Sequence, residues 1–162
     1  MKYATGAFES KEDKRDFAYV PKYTKWQGGK RYSPKDIEDQ QKVGICTAIS
    51  LTQQARKATG TKYSADFQYL LQKKFIDKNW DEGSSLRSSV TVAYKYGLLP
   101  EKYFKFNISR NQPYSKYIKE LQKITDVEIE ALLKKCKKIR EYRSVPVDRD
   151  LMANAIDNSE AG

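Results

Sequence analysis

Histidine is absent from this chain of 162 residues, and only two cysteines, Cys46 and Cys136, occur in it. Two widely separated cysteines form neither a CxxC metal motif nor a disulfide framework, and the lack of histidine removes the commonest metal ligand. No apolar run is long enough to span a bilayer, and the N-terminus lacks the apolar stretch of a signal peptide. These absences predict a soluble protein that is not exported by that route and that has no metal, no cofactor and no membrane partner.

Positive charge is in excess, with 31 Lys and Arg against 21 Asp and Glu and a formal net charge of +10. Such a charge favours polyanionic partners, including nucleic acid, through non-specific attraction. The basic residues are spread along the chain, however, and their densest group is typical of a solvated helix face: Lys134, Lys135, Lys137, Lys138 and Arg140. Nucleic acid is therefore a secondary candidate for a partner, since charge alone supports it weakly.

A polar N-terminal arm, residues 1–34, precedes a series of helical patterns. Glycine and proline interrupt this arm, which predicts an extended chain with turns. From Cys46 to Ala58 small apolar residues recur at helical spacing, which predicts a closely packed, central helix that ends at Gly60. The residues expected on its inner face are Ala48, Leu51, Ala55 and Ala58.

Further helices are predicted wherever a capping residue precedes an apolar stripe. Ser64 is predicted to cap the second helix, and Ser84 or Ser85 is predicted to cap the third. The third helix is predicted to end at Gly97 and Pro100. Thr125 and Glu128 are predicted to form a capping box for the fifth helix. The inner faces are predicted to hold Phe67, Leu70, Leu71 and Phe75 in the second helix, Leu86, Val90 and Ala93 in the third, Tyr114, Tyr117, Ile118 and Leu121 in the fourth, and Ile129, Leu132, Leu133 and Cys136 in the fifth. A short extended stretch, residues 142–146, and a last helix capped by Asp148 follow. These patterns predict a mainly helical chain.

Cys46 lies where a thiol could act as a nucleophile. A lone cysteine is more often a small buried apolar residue, and this is one interpretation. Three features favour the interpretation of Cys46 as a nucleophile. Gly44 permits an unusual turn or a close ligand approach, Cys46 falls in the first turn of a predicted helix where free N–H groups stabilise a thiolate, and Gln40 could donate to an oxyanion. The residues by themselves leave both interpretations open, whereas the apolar stripe around Cys136 favours a buried thiol there.

Several motifs resemble those of papain-like cysteine peptidases, in particular their bacterial and phage branch. The stretch QQKVGICTA, residues 40–48, is similar to the segment around the nucleophile, where Thr-Ala follows the cysteine in that branch. The stretch DEGSSLR, residues 81–87, leading to KYGLLPE, residues 95–101, is similar to the loop that lines the substrate cleft. RDFAY, residues 15–19, resembles the initial segment of the same proteins, and residues 139–156 resemble the crossing between the two lobes of the family.

The resemblance implies the helical lobe of a papain-like α+β fold, formed by residues 35–146, with residues 147–162 as a crossing segment toward a β-rich lobe that this chain lacks. It implies that Cys46 is the nucleophile and Gln40 the oxyanion-hole residue. It also implies substrate-binding roles for the residues Gly44, Gly83, Ser84 and Ser85. The catalytic histidine of the family belongs to the second lobe, and this sequence contains none.

Two functions follow as expectations from this resemblance. The first is hydrolysis of a peptide or protein substrate by a cysteine nucleophile, with the chain as an N-terminal fragment or incomplete domain. Such a chain is not competent alone, and a second lobe or partner polypeptide supplies the histidine. The alternative is a catalytically inactive lobe that acts as a structural or protein-binding module, for example in a phage-like assembly. The corresponding locations are the cytoplasm or the virion.

Overall fold

The computed structural model describes residues 7–8, 37–139, 151–153 and 155. Its elements in chain order are β1 (Ala7–Phe8), α1 (Cys46–Thr59), α2 (Ala65–Leu71), a π-helical turn (Gln72–Asp77), β2 (Ser84–Ser85), α3 (Leu86–Lys95), a 3-10 turn (Glu101–Tyr103), α4 (Tyr114–Gln122) and α5 (Asp126–Leu133). Most of the predicted arm, the RDFAY segment, the stretch 142–146 and the Asp148 cap lie outside the described residues. Within them the prediction of a mainly helical chain is confirmed.

Helix α1 begins at Cys46 and ends before Gly60, as the sequence predicts. Gly60 adopts the left-handed conformation with φ 68°, and its N–H bonds to the carbonyl oxygen of Arg56 at 2.7 Å. The buried face differs from the predicted one, because Ala58 is exposed while the residues Thr47, Ala48, Ile49 and Thr52 are buried. Thr52 can be buried because its hydroxyl donates to the carbonyl oxygen of Ala48 at 2.9 Å.

Helix α2 is almost entirely buried and continues directly into the π-helical turn. Its cap is Ser64, as predicted, whose hydroxyl accepts from the N–H of Phe67 at 3.1 Å. The wider turn over Gln72–Asp77 was not foreseen, since no propensity pattern distinguishes a single π-helical turn from an α-helix. It places Lys73, only 1% exposed, inside the protein.

Helix α3 is capped by Ser85, and its inner face corrects one prediction. Leu86, expected to face the core, is 54% exposed because it is the first residue after the cap. The buried positions of this helix are Ser88, Ser89, Val92 and Ala93, which face α1 and α2. The small hydroxyl of Ser89 allows this close approach and donates to the carbonyl oxygen of Thr47 at 3.1 Å.

Helix α5 has the predicted capping box between Thr125 and Glu128. It ends at Leu133, so Cys136 lies beyond it and not on its stripe as predicted. The chain turns there because Lys137 pairs with Leu98 in an isolated antiparallel bridge, with N···O distances of 2.8 and 2.9 Å. Cys136 nevertheless packs against the core.

The main core cluster of the described residues is contributed by α1, α2, α3, α4, α5 and the segments that join them, and a smaller cluster contains Tyr63, Ala93 and Leu98. The largest fully buried side chains of the main cluster include the aromatic residues Phe67, Tyr69 and Tyr117. Strands β1 and β2 pair in parallel, with Ala7 opposite Ser84 and Phe8 opposite Ser85. In the part of the chain that the structure describes, no helix combines the length and apolar character needed to cross a bilayer.

Gly97 is a position where alanine should be costly. Its φ is +90°, and an added Cβ would lie 2.8 Å from the carbonyl carbon and oxygen of Lys137. We expect Gly97→Ala to lower the free energy of unfolding by about 1–3 kcal/mol from backbone strain, with the steric clash in addition. Gly60→Ala is the matched control, since Gly60 also has positive φ but an added Cβ meets nothing within 4 Å. Equal losses in urea titrations of the two variants would contradict this expectation.

Candidate active site

Gln40 and Cys46 line the same pocket, of about 390 Å³, at the N-terminal end of α1. The other lining residues are Ile37, Glu38, Asp39, Ile49 and Ser50. Cys46 is a free, half-buried thiol in the first helical turn. The N-cap residue Ile45 makes no side-chain capping bond, and the first turn holds no acidic residue. Within the first turn of α1, therefore, no carboxylate offsets the helix dipole at Cys46.

A tight reversal of the chain brings Gln40 back to Cys46. The side chain of Asp39 accepts from the N–H of Gln41 at 2.8 Å, and Gln41 adopts φ 57°. The fully buried side chains of Val43 and Ile45 then anchor the approach to the helix. Two residues six positions apart thus face one pocket because the segment between them turns back on itself.

Gly44 connects this segment to the loop before α3. Its N–H donates to Oε1 of Glu82 at 2.9 Å. Gly44 is not among the described glycines with positive φ, so an unusual turn is not what it provides. The residue is buried, and its bond to Glu82 ties the cysteine segment to the predicted substrate loop, residues 81–87.

Gly83 is held from both sides by buried side chains. Its φ is 91°, its N–H donates to the hydroxyl of Tyr69 at 3.0 Å, and its carbonyl accepts from Nζ of Lys73 at 2.9 Å. Lys73 also donates to Asn79 at 2.8 Å and to Asp77 at 3.2 Å. Because both backbone polar groups of Gly83 bond inside the protein, Gly83 shapes the loop.

Tyr69 and Tyr114 keep their protons over the physiological range. Their hydroxyls lie 3.1 Å apart, and Tyr114 donates to the carbonyl oxygen of Asp81 at 2.9 Å. Burial raises the pKa of Tyr69 well above its usual range, with a further contribution from the hydrogen bond to Tyr114. Burial likewise raises the pKa of Tyr114 to about 12. The hydroxyls therefore remain neutral groups that hold the loop.

Ser84 and Ser85 already pair with an extended segment of the chain itself, namely β1. Ser84 is buried, and the hydroxyl of Ser85 is engaged as the cap of α3, accepting from the N–H of Ser88 at 3.0 Å. The Ser85 side chain is thus committed to the cap, and the backbone of β2 is what meets another strand. The resemblance assigned substrate binding to four residues. Gly44 lies on the cysteine segment, whereas Gly83, Ser84 and Ser85 lie on the loop before α3, and the Gly44–Glu82 bond joins these two segments.

Cys136 differs from Cys46 in its surroundings. Burial raises the pKa of its thiol to about 12, and its Sγ lies 3.6 Å from the carbonyl oxygen of Leu132. The group is thus a protonated thiol at neutral pH and a poor nucleophile. This agrees with the interpretation of Cys136 as a packing residue.

Sequence reasoning missed several residues that support the site: Glu82, Tyr69, Lys73 and Arg110. Glu82 had a signal, because it belongs to the DEGSS motif. Lys73 and Arg110 had none, since lysine and arginine are normally exposed and neither lies near a recognisable motif.

No protein-family model and no curated protein sequence matches the chain. Among solved structures the chain is similar to Xylellain, a cysteine protease from Xylella fastidiosa, with a TM-score of 0.76 and 24% sequence identity. The match covers 96% of this chain and 63% of that protein, so the chain spans less than two thirds of its length. This similarity confirms the predicted fold class, a mainly helical lobe of a papain-like cysteine protease fold.

Proposed function

We propose that this chain carries the nucleophile half of a papain-like cysteine peptidase active site. The observation that carries the proposal is the shared pocket of Gln40 and Cys46 at the start of α1, in a chain with the fold of a cysteine protease. In this proposal Cys46 attacks the carbonyl carbon of a peptide substrate, and the side chain of Gln40 with the N–H of Cys46 stabilises the oxyanion.

The chemical steps define what this chain can do and what it needs. The thiolate forms a C–S bond, the carbonyl electron pair moves to oxygen, and its return expels the leaving group to give a thioester on Cys46. An amide nitrogen leaves only after it gains a proton. Because the 162 residues contain no histidine, that proton would come from an imidazole on another polypeptide segment. An activated ester needs no such acid, since its leaving group departs as a stable anion.

The proposed substrate is an extended peptide that pairs with the backbone of β2. Two features support this mode of binding. The edge of β2 accepts the extended residues Ala7 and Phe8, and the Glu82–Gly44 bond keeps β2 next to the cysteine segment. Addition of a strand to an exposed edge is a common mode of peptide recognition, in which backbone bonds provide affinity.

Acylation by the p-nitrophenyl ester of an N-acetylated dipeptide tests this function. We expect release of p-nitrophenolate in a single burst, with the acyl group on Cys46 in peptide mass spectra and slow release afterwards because no base activates water. The corresponding p-nitroanilide should not turn over. Cys46→Ala should abolish the burst, and the matched control Cys136→Ala should retain it, because at neutral pH the Cys136 thiol is protonated. A burst that survives Cys46→Ala, or no burst at all, would refute the proposal.

A protein-binding module without catalysis is the second candidate, and the paired edge of β2 favours it. In that case the p-nitroanilide of the N-acetylated dipeptide would bind wild type and Cys46→Ala equally. The p-nitrophenyl ester would not acylate Cys46. Association with a phage-like assembly, and a location in the cytoplasm or virion, stay predictions.

A further inference from the structure

Arg110 joins the segment that carries Gln40 to helix α2. Its Nε and Nη2 donate to the two carboxylate oxygens of Asp66, at 2.9 and 2.8 Å. Its Nη1 lies 2.6 Å from Oε1 of Glu38. One guanidinium group thus bridges a carboxylate on the core helix and a carboxylate two residues before Gln40.

The backbone of the same segment is also bonded to Arg110. Nη1 lies 3.4 Å from the carbonyl oxygen of Asp39, and the N–H of Lys42 donates to the carbonyl oxygen of Arg110 at 3.2 Å. These contacts fall on both sides of Gln40. Arg110 therefore holds the reversal before and after the residue whose side chain lines the pocket.

Residues 37–42, the segment that carries Gln40, have few buried side chains that could hold them in place. Ile37 is 76% exposed, and Asp39, Gln41 and Lys42 are also exposed. Polar contacts rather than apolar packing must therefore hold this part of the chain in place.

The charged side chains of Arg110, Glu38 and Asp66 are well shielded from water. The side chains of Arg110 and Glu38 are each 13% exposed and that of Asp66 is 16% exposed. Burial opposes the charge of Arg110, but the hydrogen bonds and charges of Asp66 and Glu38 outweigh it and raise the pKa of Arg110. The hydroxyl of the fully buried Tyr117 donates to Oδ1 of Asp66 at 2.9 Å, so the carboxylate is fixed from the core side too.

We infer that Arg110 is a positioning residue that holds Gln40 where it can stabilise the oxyanion formed at Cys46. This inference rests on the proposed function and adds a residue to it. A planar fork fixes both carboxylates at once, which the single ammonium group of lysine cannot reproduce. Since small displacements of a catalytic group cost up to about 100-fold in rate, loss of the fork should appear in the acylation rate.

The test compares acylation by the p-nitrophenyl ester in Arg110→Met, Arg110→Lys, Gln40→Ala and the double variant Arg110→Met/Gln40→Ala of the full chain. We expect both Arg110 variants to acylate about 10- to 100-fold more slowly than wild type. The double variant should be no slower than Gln40→Ala, because Arg110 acts only through Gln40. If Arg110→Met does not fold, the double variant Arg110→Lys/Gln40→Ala takes its place.

Two controls separate positioning from general damage. Alkylation of Cys46 by iodoacetamide forms no oxyanion, so it should proceed at the wild-type rate in every Arg110 variant. Thr125→Ala removes the capping box of α5, whose bonds join only Thr125 and Glu128, and should lower stability while leaving acylation unchanged.

The outcomes distinguish this inference from the proposed function. If Gln40→Ala slows acylation but the Arg110 variants do not, the inference is wrong and the proposed function stands. Additive losses in the double variant, or equal slowing of alkylation, would also overturn it. If Gln40→Ala acylates as fast as wild type, the proposed oxyanion role fails and the inference fails with it.

Discussion

Gln40→Ala is expected to slow acylation of Cys46 by the activated ester about 10²- to 10³-fold. The side chain of Gln40 lines the pocket of Cys46, and an amide donor there would bond to the oxygen only once it becomes an anion. Removal of such a donor raises the energy of the transition state more than that of the bound ester. The loss should therefore appear in the limiting acylation rate at saturating ester, with the half-saturating concentration little changed.

Gln40→Glu is the matched variant, because it keeps the shape of the side chain and replaces the donor by a carboxylate. It should acylate at least as slowly as Gln40→Ala, since a negative charge opposes an oxyanion. Gln40→Ala should react with iodoacetamide at the wild-type rate, whereas Gln40→Glu should react more slowly because its carboxylate repels the thiolate. Acylation of Gln40→Glu at the wild-type rate would show that the amide of Gln40 is not the donor.

Lys73→Met should lower the free energy of unfolding by about 3–5 kcal/mol, because it leaves a partly buried carboxylate without its cation. The Lys73 side chain is 1% exposed and that of its ion-pair partner Asp77 is 11% exposed. The same ammonium group bonds to Asn79 and to the carbonyl oxygen of Gly83, so these acceptors lose a donor as well. Urea denaturation should show a lower midpoint with an unchanged slope.

Lys74→Met is the matched control, with the same substitution one residue along the π-helical turn. Lys74 pairs with Asp126, whose side chain is 76% exposed, so its loss should cost no more than about 1 kcal/mol. The double variant Lys73→Met/Asp77→Asn should recover part of the loss, because the orphaned charge is removed. Equal midpoint shifts for Lys73→Met and Lys74→Met would contradict this account.

Local chemistry is where the sequence predicted the structure well. A cap is decided by a few adjacent residues, so Ser64, Thr125 with Glu128, and the stop at Gly60 were predicted and are confirmed. The start of α1 at Cys46 is confirmed for the same reason. Gln40 and Cys46 line one pocket, and their catalytic roles stay a proposal.

Long-range polar contacts could not be predicted from the sequence. Arg110 and Asp66 are distant in the chain, and nothing in either segment marks them as partners. Lys73 and Lys74 are adjacent, and two adjacent lysines predict a solvent-exposed surface. The π-helical turn instead directs Lys73 inward. Leu86 was misplaced because the packed face of α3 is rotated toward Ser88, Ser89 and Val92, and periodicity does not select small polar residues for the core. Each miss depends on tertiary structure that periodicity does not encode.

In the proposed mode of binding, the pairing of Ala7 and Phe8 with β2 would make peptide binding a competition. Two extended segments cannot both use the same backbone groups of Ser84 and Ser85, so an added peptide binds only the fraction of molecules whose edge is open. Its apparent dissociation constant is the intrinsic one divided by that fraction. Because the competitor belongs to the same chain, dilution of the protein does not weaken it, and only peptides with further contacts near Cys46 gain an advantage over it.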